Sequence, residues 1–374
     1  GCFAASLDAD TEGVEGLTYS WTPAQLREVL GDEDGQWAAQ LLLVTERGNF
    51  ENRTSTLRMP AEPLDGQRWQ RIRGELAAAR AARPQPACDD KVVAEWNGLA
   101  ITALVEAGRA LDDPQWIDAA RSCANFLLEH HVEAGRLRRT SRRGELGATA
   151  GVLADYGCLA EGLLALYQAD PHPRFLAAAQ NLLDVAVRRF AGEQGSYFDT
   201  ADDAETLVRR PADQTDNATP SGASALAAAL LSAAALVGPD EQGGSQRASR
   251  YRELAELAVT RVGVLLAKVP RFAGNWCAVA EAIAAGPVQV AIVGPHGDAG
   301  RAELTRAAVA ATAGGAVLLA GEPESAEIPL LADRPLLHGA AAAYVCRGYV
   351  CDRPVSSAKE LVAALRTGAT AVNS

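Results

Sequence analysis

The chain has 374 residues, enough to bury a large hydrophobic core, and its 48% hydrophobic and 22% charged residues are typical of a globular protein. Its formal net charge of −12 argues against binding to nucleic acid or anionic lipid, because phosphate recognition requires clustered Lys and Arg. The sequence shows neither an apolar run of about 18 residues nor a signal peptide, which predicts a cytoplasmic protein with no membrane partner.

Two kinds of helix alternate between about residues 68 and 286, after a first helix predicted at 68–82. One kind is apolar on nearly all sides, which predicts an inner wall. The other kind is apolar on one side only, which predicts an outer layer that faces water. The inner helices are predicted at 98–111, 151–169, 221–238 and 275–286, and the outer helices at 115–132, 173–190 and 249–268. This alternation predicts a mainly α fold, an α/α toroid over residues 1–286.

The pattern changes after residue 287. Strands are predicted at 288–294 and 315–321, with a strand or hairpin at 341–354, and these alternate with helices at 299–313 and 357–368. Residues 287–374 therefore read as a small α/β segment appended to the toroid. The turn "VGPHGD" after the first of these strands lacks the spacing of glycine-rich phosphate-binding loops.

The seven cysteines are an odd number scattered along the chain, so they predict buried thiols rather than a disulfide framework. Cys346 and Cys351 form the only close pair. Their four-residue gap, with no second pair and no nearby His, argues against zinc. A structural and a redox interpretation of this pair both stay open, and neither a metal nor a cofactor is predicted.

Polar clusters precede the predicted inner helices, where a toroid would place its mouth. Carboxylates and cationic groups form hydrogen bonds with the hydroxyl groups of a ligand, and an indole packs against the C–H face of a sugar. These clusters therefore predict a site for a small carbohydrate or polyol. The candidate binding residues are Asp8, Asp10, Asp89, Asp90, Lys91, Trp96, Asn97, Asp155, Tyr156, Arg210, Asp213 and Asp216.

Structural roles compete with this interpretation. Asp89 and Asp90 could serve as helix caps or as ion-pair partners of Lys91, and Asn97 could cap the helix that follows it. Asp155 lies within an apolar helix, which predicts a paired carboxylate or one that faces a cavity, and the second alternative is favoured. The loop of Asp8 and Asp10 superficially follows a calcium-binding EF-hand, but Tyr19 stands where a bidentate Glu is required.

No catalytic residue can be assigned from the sequence. Glycosidases need two carboxylates that flank one bond, and epimerases need bases on both faces of a sugar carbon. None of the five His residues lies on a predicted inner helix, and no G-x-S-x-G segment presents a nucleophilic Ser.

Six ordered segments resemble the YyaL-type, spermatogenesis-associated family of thioredoxin-domain-containing proteins. They are "DADTEGVEGLTYSWTPAQL", "GNFE", "DDKVVAEWNGLAITAL", "DYGCLAEGLLALYQA", "RPADQTDNATPSGAS" and "AYVCRGYVCDRP". The resemblance implies an N-terminal thioredoxin-like domain followed by a six-hairpin α/α barrel similar to N-acylglucosamine 2-epimerase and cellobiose epimerase. It also implies that this chain lacks that domain and the first barrel helices, so that its toroid is incomplete at the N-terminus.

Three positions depart from the family pattern. Glu95, Ala212 and Ala223 stand where the family usually has a small residue, Lys and Asn, and each lies beside a candidate binding residue. Two functions remain after this comparison. The first is carbohydrate or polyol binding, with isomerase-like or glycosidase-like chemistry in the intact protein. The second is a non-catalytic scaffold that positions the thioredoxin-like domain on client proteins.

Overall fold

The computed structural model describes residues 1–237, 244–347 and 350–367. They form two compact units, the first being Ala4–Asp90 and the second Gly1–Phe3 together with the described residues from Lys91 onward. Within the described residues, no helix is both long and apolar enough to cross a membrane. The predicted boundary at residue 287 lies inside the second unit and stays a prediction.

The first unit contains two packed helices, α1 (Pro23–Leu41) and α2 (Gly66–Ala81), the second of which was predicted at 68–82. A capping box starts α1, because Thr22 and Gln25 each donate a backbone N–H to the other's side chain. The buried side chains of Trp21, Leu26 and Ile72 contribute to the core of this unit. Its strands are β1 (Ser6–Leu7), β2 (Asp10–Thr11), β3 (Val14–Glu15) and β4 (Cys88–Asp89).

The second unit contains the two predicted helix layers. Neighbouring inner helices pack against one another, and each of the first three also packs against the outer helix that follows it in sequence. The inner helices are α3 (Ala94–Leu111), α5 (Leu153–Ala169), α7 (Gly222–Leu236) and α10 (Gly274–Ala285), and the outer helices are α4 (Pro114–His130), α6 (Pro173–Arg189) and α8 (Gly244–Arg261), with a short α9 (Gly263–Lys268) after α8. The predicted fold class, mainly α with the layering of an α/α toroid and a small α/β segment, is confirmed.

The difference between the layers follows from the distribution of apolar residues. Nearly every residue of α5 and α7 is buried, whereas α4 and α6 bury one face each. A helix that is apolar all round is stable only inside a core, so the pattern that predicted the inner wall also explains it. Short strands between the helices complete this part, and they form one three-stranded and one two-stranded sheet. The first sheet contains β5 (Lys91–Val93), β8 (Thr140–Arg142) and β9 (Glu145–Leu146), and the second contains β6 (Val132–Glu133) and β7 (Arg136–Leu137).

Glycines bring the inner helices close together. A Cβ atom at Gly98 on α3 would lie 2.5 Å from the carbonyl carbon of Cys158 on α5. A Cβ atom at Gly157 on α5 would lie 2.7 Å from the backbone nitrogen of Leu226 on α7. Only glycine permits this separation, because real Cβ atoms do not approach backbone so closely.

A four-stranded sheet forms the α/β segment, with strand order β11, β10, β12, β13. Strands β10 and β11 are parallel and are connected through α11, while β12 is antiparallel to both β10 and β13. The elements are β10 (Val288–Val293), α11 (Ala299–Ala311), β11 (Val317–Gly321), β12 (Ala342–Arg347), β13 (Val350–Cys351) and α12 (Ala358–Thr367). Every strand and helix predicted after residue 287 is present, within three residues of its predicted start.

Two details of the prediction were wrong. The helix predicted at 249–268 is interrupted at Val262, which lies outside the helical region with ψ 12° between α8 and α9. Asn97 does not cap α3, because that helix begins three residues earlier, at Ala94. A carboxylate from another helix explains the early start, as the next section shows.

Substituting Gly98→Ala should destabilise the second unit by about 1–3 kcal/mol, because the added methyl group must push α3 away from the backbone of α5. Chemical denaturation measures the change. The matched control is Gly263→Ala at the first residue of α9, where a Cβ atom meets nothing within 4 Å. Equal effects of the two substitutions would contradict the close approach of α3 and α5.

Candidate functional site

The N-terminal ends of the inner helices, called the rim below, hold most of the predicted binding residues of the second unit. Asp155 lies in the first turn of α5 and is fully buried. Its Oδ1 accepts the backbone N–H of Glu95 in α3 at 3.0 Å, and its Oδ2 accepts the N–H of Val152 at 2.8 Å. Arg139 donates to Oδ2 at 3.0 Å. One carboxylate therefore caps two adjacent inner helices.

Opposing effects act on the pKa of Asp155. Burial is the largest of them and raises its pKa to about 6, while Arg139 and the amides of Val152 and Glu95 favour the charged form. Of the two alternatives for this carboxylate, the structure shows the paired one, because both oxygens accept hydrogen bonds from protein donors. Direct contact between Asp155 and a ligand stays a prediction.

Asp216 plays the same part between the next two inner helices. Its Oδ1 accepts the N–H of Ser221 at 2.9 Å and the hydroxyl of Ser224 at 2.7 Å, at the start of α7. Its Oδ2 accepts the N–H groups of Asn275 and Trp276, at 2.8 and 3.2 Å, at the start of α10. The carboxylate stabilises the positive ends of both helices. Ser221 caps α7, since its hydroxyl accepts the N–H of Ser224 at 3.2 Å.

Asn97 and Tyr156 are also held by the backbone. The Asn97 amide accepts the N–H of Phe3 at 2.8 Å and donates to the carbonyl groups of Phe3 and Val93. The Tyr156 hydroxyl accepts the N–H of Leu137 at 2.9 Å, and its ring is buried. Both side chains fix loops against the inner helices.

The loop before α7 holds the remaining pair. The guanidinium group of Arg210 lies 4.1 Å from the ring centre of Phe198 and donates to the carbonyl of Thr200. Asp213 is exposed, and its carboxylate accepts the N–H and hydroxyl of Thr215 at 2.9 and 2.7 Å. Arg210 and Asp213 thus shape their own loop, and within the described residues neither forms a hydrogen bond or an ion pair with Asp155 or Asp216.

Open polar surface at the rim lies around the start of α3. Glu95 is buried, with 9% of its side chain exposed, and pairs with Arg139, whose Nη2 lies 3.5 Å from Oε2 of Glu95. Arg139 also contacts Asp155, so that one guanidinium serves two carboxylates. The adjacent Trp96 is 42% exposed, and Lys91 at the start of β5 is exposed as well. Glu95, Trp96, Arg139 and Asp155 are called the α3 rim cluster below.

The other candidates lie in the first unit. Asp8 and Asp10 are exposed, and the N–H of Asp10 donates to Oδ1 of Asp8 at 3.3 Å. Asp89 is half-buried in β4, opposite Ser6 of β1, and Asp90 is also half-buried at the end of this unit. No group of three or more His, Cys, Asp and Glu residues in the described parts of the chain could hold a metal ion.

Glu161 is a candidate that the sequence interpretation missed. It lies on α5, and its Oε1 accepts the hydroxyl of Ser232 on α7 at 3.0 Å. Its Oε2 is buried and has no hydrogen-bond partner among the described residues. Burial raises the pKa of Glu161 to about 7, more than the bond from Ser232 lowers it. The signal was present in the sequence, because Glu161 and Asp155 are the only acidic residues in an otherwise largely apolar helix.

Comparison with known proteins identifies proteins of similar sequence. No family model matches the chain. Human spermatogenesis-associated protein 20 is 27% identical over 417 residues, which cover 96% of this chain and 51% of that protein. The Caenorhabditis elegans protein B0495.5 is 24% identical over 404 residues, which cover 96% of this chain and 54% of the nematode protein.

The predicted family resemblance is confirmed. Spermatogenesis-associated protein 20 of Rattus norvegicus adds a match of 30% identity over 286 residues, which cover 64% of this chain and 36% of the rat protein. The chain spans about half the length of the human and nematode relatives.

Two solved structures show a weaker likeness. Unsaturated glucuronyl hydrolase from Bacillus sp. GL1 is 14% identical, with a TM-score of 0.38 over 64% of this chain and 58% of that chain. Cellobiose 2-epimerase from Spirochaeta thermophila is 14% identical, with a TM-score of 0.36 over 46% of this chain and 43% of that chain. Similarity at this level identifies neither a substrate nor a reaction.

Glu161→Gln should change the pH dependence of stability. The pKa of Glu161 is about 7 in the folded chain, against an ordinary value of 4.5, so between these pH values the folded chain binds more protons than the unfolded chain. The wild type therefore loses stability as pH rises from about 4.5 to 7. The neutral variant escapes this loss, so its stability relative to wild type should rise by up to about 3 kcal/mol over that range.

Denaturant unfolding at several pH values between 4.5 and 8 measures this effect. Glu129→Gln on the outer helix α4, where the residue is exposed, removes the same charge and serves as the control. If the difference in unfolding free energy between Glu161→Gln and wild type does not change with pH, the carboxyl group of Glu161 is already ionised at pH 4.5 in the folded chain.

Proposed function

We propose that the α3 rim cluster binds a carbohydrate or a related polyol. The observation that carries the proposal is the exposure of Trp96, which follows Glu95 of the Glu95–Arg139 ion pair in the first turn of α3. The indole of Trp96 is 42% exposed, so it offers apolar surface that a ligand can cover. An indole face packs against sugar C–H groups, and the carboxylate and guanidinium groups exchange hydrogen bonds with hydroxyls.

The rigidity of the cluster supports this proposal. Arg139 is fixed by two carboxylates, and Glu95 is anchored through its backbone N–H on Asp155. A ligand would therefore pay little entropy to order these groups, which favours binding of a small polar molecule. Lys91, three residues before the start of α3, would extend the donor set toward the solvent side.

We further propose Glu161 as the acid of an isomerase-like or glycosidase-like reaction in the intact protein. A carboxyl group with a pKa of about 7 is partly protonated near neutral pH, which suits a general acid. The residue lies six positions after Asp155 on α5, about 9 Å along the helix axis.

Trp96→Ala should weaken sugar binding roughly tenfold, because the stacking surface is removed while the ion pair remains. A thermal-shift screen of mono- and disaccharides identifies the ligand, and isothermal titration calorimetry then compares the affinities of the variants. Trp116→Ala is the matched control. Trp116 lies on the outer helix α4 with 41% exposure, against 42% for Trp96, so both substitutions remove an equally exposed indole.

Equal affinity in the two tryptophan variants, or no sugar that shifts the wild-type transition, would contradict the proposal. Glu161→Gln should leave binding intact and abolish turnover of any sugar that is converted. Retained turnover in that variant would remove Glu161 from the reaction without affecting the binding proposal.

A non-catalytic scaffold is the second candidate. It is favoured by the hydrogen bonds that engage Asp155, Asp216, Asn97 and Tyr156, which make these residues structural elements of the rim. On this alternative, the intact cytoplasmic protein uses the helices to position a thioredoxin-like domain on client proteins. Clients would then be captured covalently by the intact protein whether or not sugar is present, and sugars would leave the unfolding transition unchanged.

A further inference from the structure

We propose that Cys346 and Cys351 form a thiol–disulfide exchange site that accepts electrons from a dithiol. The two residues face each other across the β12–β13 pair and are joined by a disulfide bond. The site lies in the α/β segment and is independent of the α3 rim cluster. Three observations carry the proposal: the unequal exposure of the two cysteines, the arginine against both sulfur atoms, and the support of the strands by other bonds.

The two cysteines differ in their access to solvent. Cys346 is only 1% exposed, whereas Cys351 belongs to the exposed strand β13 at the edge of the sheet. Thiol–disulfide exchange requires a thiolate to reach one sulfur along the line of the bond. An incoming thiolate therefore reaches Cys351, and Cys346 becomes the leaving group.

Arg334 is placed to stabilise that leaving group. Its Nη2 lies 3.4 Å from Sγ of Cys346 and 3.3 Å from Sγ of Cys351. A guanidinium group stays protonated in proteins, so it favours a thiolate over a thiol at this position. A lower thiol pKa makes a faster leaving group.

The position of Arg334 is fixed by neutral groups. Its Nε donates to the carbonyl of Leu330 at 3.1 Å, and its guanidinium carbon lies 4.9 Å from the ring centre of Tyr344. Within the described residues, Arg334 forms no ion pair with a carboxylate. Asp352, the acid next to Cys351, pairs instead with Arg347 at 2.7 Å. The positive charge of Arg334 is therefore available to a sulfur anion.

The sheet does not depend on the disulfide. Strand β12 pairs with β10 over its whole length, and Asp352 donates its backbone N–H to Val345 at 2.8 Å. Ala343 and Val355 form a further bridge. Because the cysteines are only five residues apart, opening the bond releases a short loop and little chain entropy. The site can therefore be reduced and reoxidised without unfolding.

The exchange balances with a dithiol as the reductant. One thiolate of the dithiol attacks Sγ of Cys351, the Cys346–Cys351 bond breaks, and the electron pair leaves on Sγ of Cys346 beside Arg334. The first sulfur of the dithiol is then bonded to Sγ of Cys351. The second thiolate of the dithiol attacks this first sulfur, closes the disulfide of the dithiol and releases Cys351 as a thiolate. The protein gains two thiols after protonation, and the dithiol is oxidised to its disulfide.

The first test uses glutathione, a monothiol, on the oxidised 374-residue chain. Free thiols are alkylated after a short reaction, and peptide mass spectrometry locates the adduct. We expect glutathione on Cys351 and alkylation on Cys346. The free and exposed Cys88 and Cys277 lie in other peptides, so they do not confuse the assignment. An adduct on Cys346 instead, or no disulfide in the oxidised chain, would overturn the proposal.

The second test measures the rate of reduction by dithiothreitol. Arg334→Ala should slow reduction about three- to tenfold, because the leaving thiolate loses its cation, and Arg334→Lys should restore much of the rate. Arg353→Ala is the matched control, since Arg353 is exposed and only two residues from Cys351 but makes no contact with the sulfur atoms. Equal rates in Arg334→Ala and Arg353→Ala, with both variants folded by circular dichroism, would remove Arg334 from the mechanism.

Discussion

The free backbone amides at the N-terminal ends of buried helices impose the constraint on which this fold depends. A helix leaves its first N–H groups without partners, and burying them unpaired is costly. Here two carboxylates meet that need, each for two neighbouring inner helices. Asp155 binds the starts of α3 and α5, and Asp216 binds the starts of α7 and α10. The caps also fix the lateral spacing of the helices, at a separation that Gly98 permits.

This arrangement changes how the acidic residues of the loops are understood. A polar residue before an inner helix has two possible uses, capping and ligand binding, and the same residue types serve both. Hydrogen bonds separate the two uses at individual positions. Asp155 and Asp216 have both oxygens bound by protein donors, whereas Trp96 and Lys91 present exposed surface. The proposed binding surface is therefore the exposed part of the α3 rim cluster, and Asp155 holds Glu95 and Arg139 of that cluster in place.

Periodicity predicted the helices well because burial of apolar faces dominates their energetics. It could not predict the partners of a single carboxylate, since those lie 60 or so residues away in sequence, as Asp155 and Glu95 do. The same limit explains why Asn97 was wrongly predicted to cap α3. An N-cap is predicted from local sequence, but α3 begins at Ala94 because the distant carboxylate of Asp155 accepts a backbone N–H in its first turn. Glu161 was visible in the sequence as an acid in an apolar helix, yet its pKa depends on its position between α5 and α7.

The cysteine pair shows a different relation between sequence and chemistry. Spacing alone left a structural and a redox interpretation open, because a four-residue gap is compatible with both. Strand register decides that Cys346 and Cys351 face each other, and the fold brings Arg334 to them from a loop twelve residues before Cys346. A purely structural disulfide needs neither a cation nor an exposed sulfur. Here the disulfide has both Arg334 and the exposed Cys351, and other hydrogen bonds already hold the hairpin. These features distinguish a reactive disulfide from a structural one.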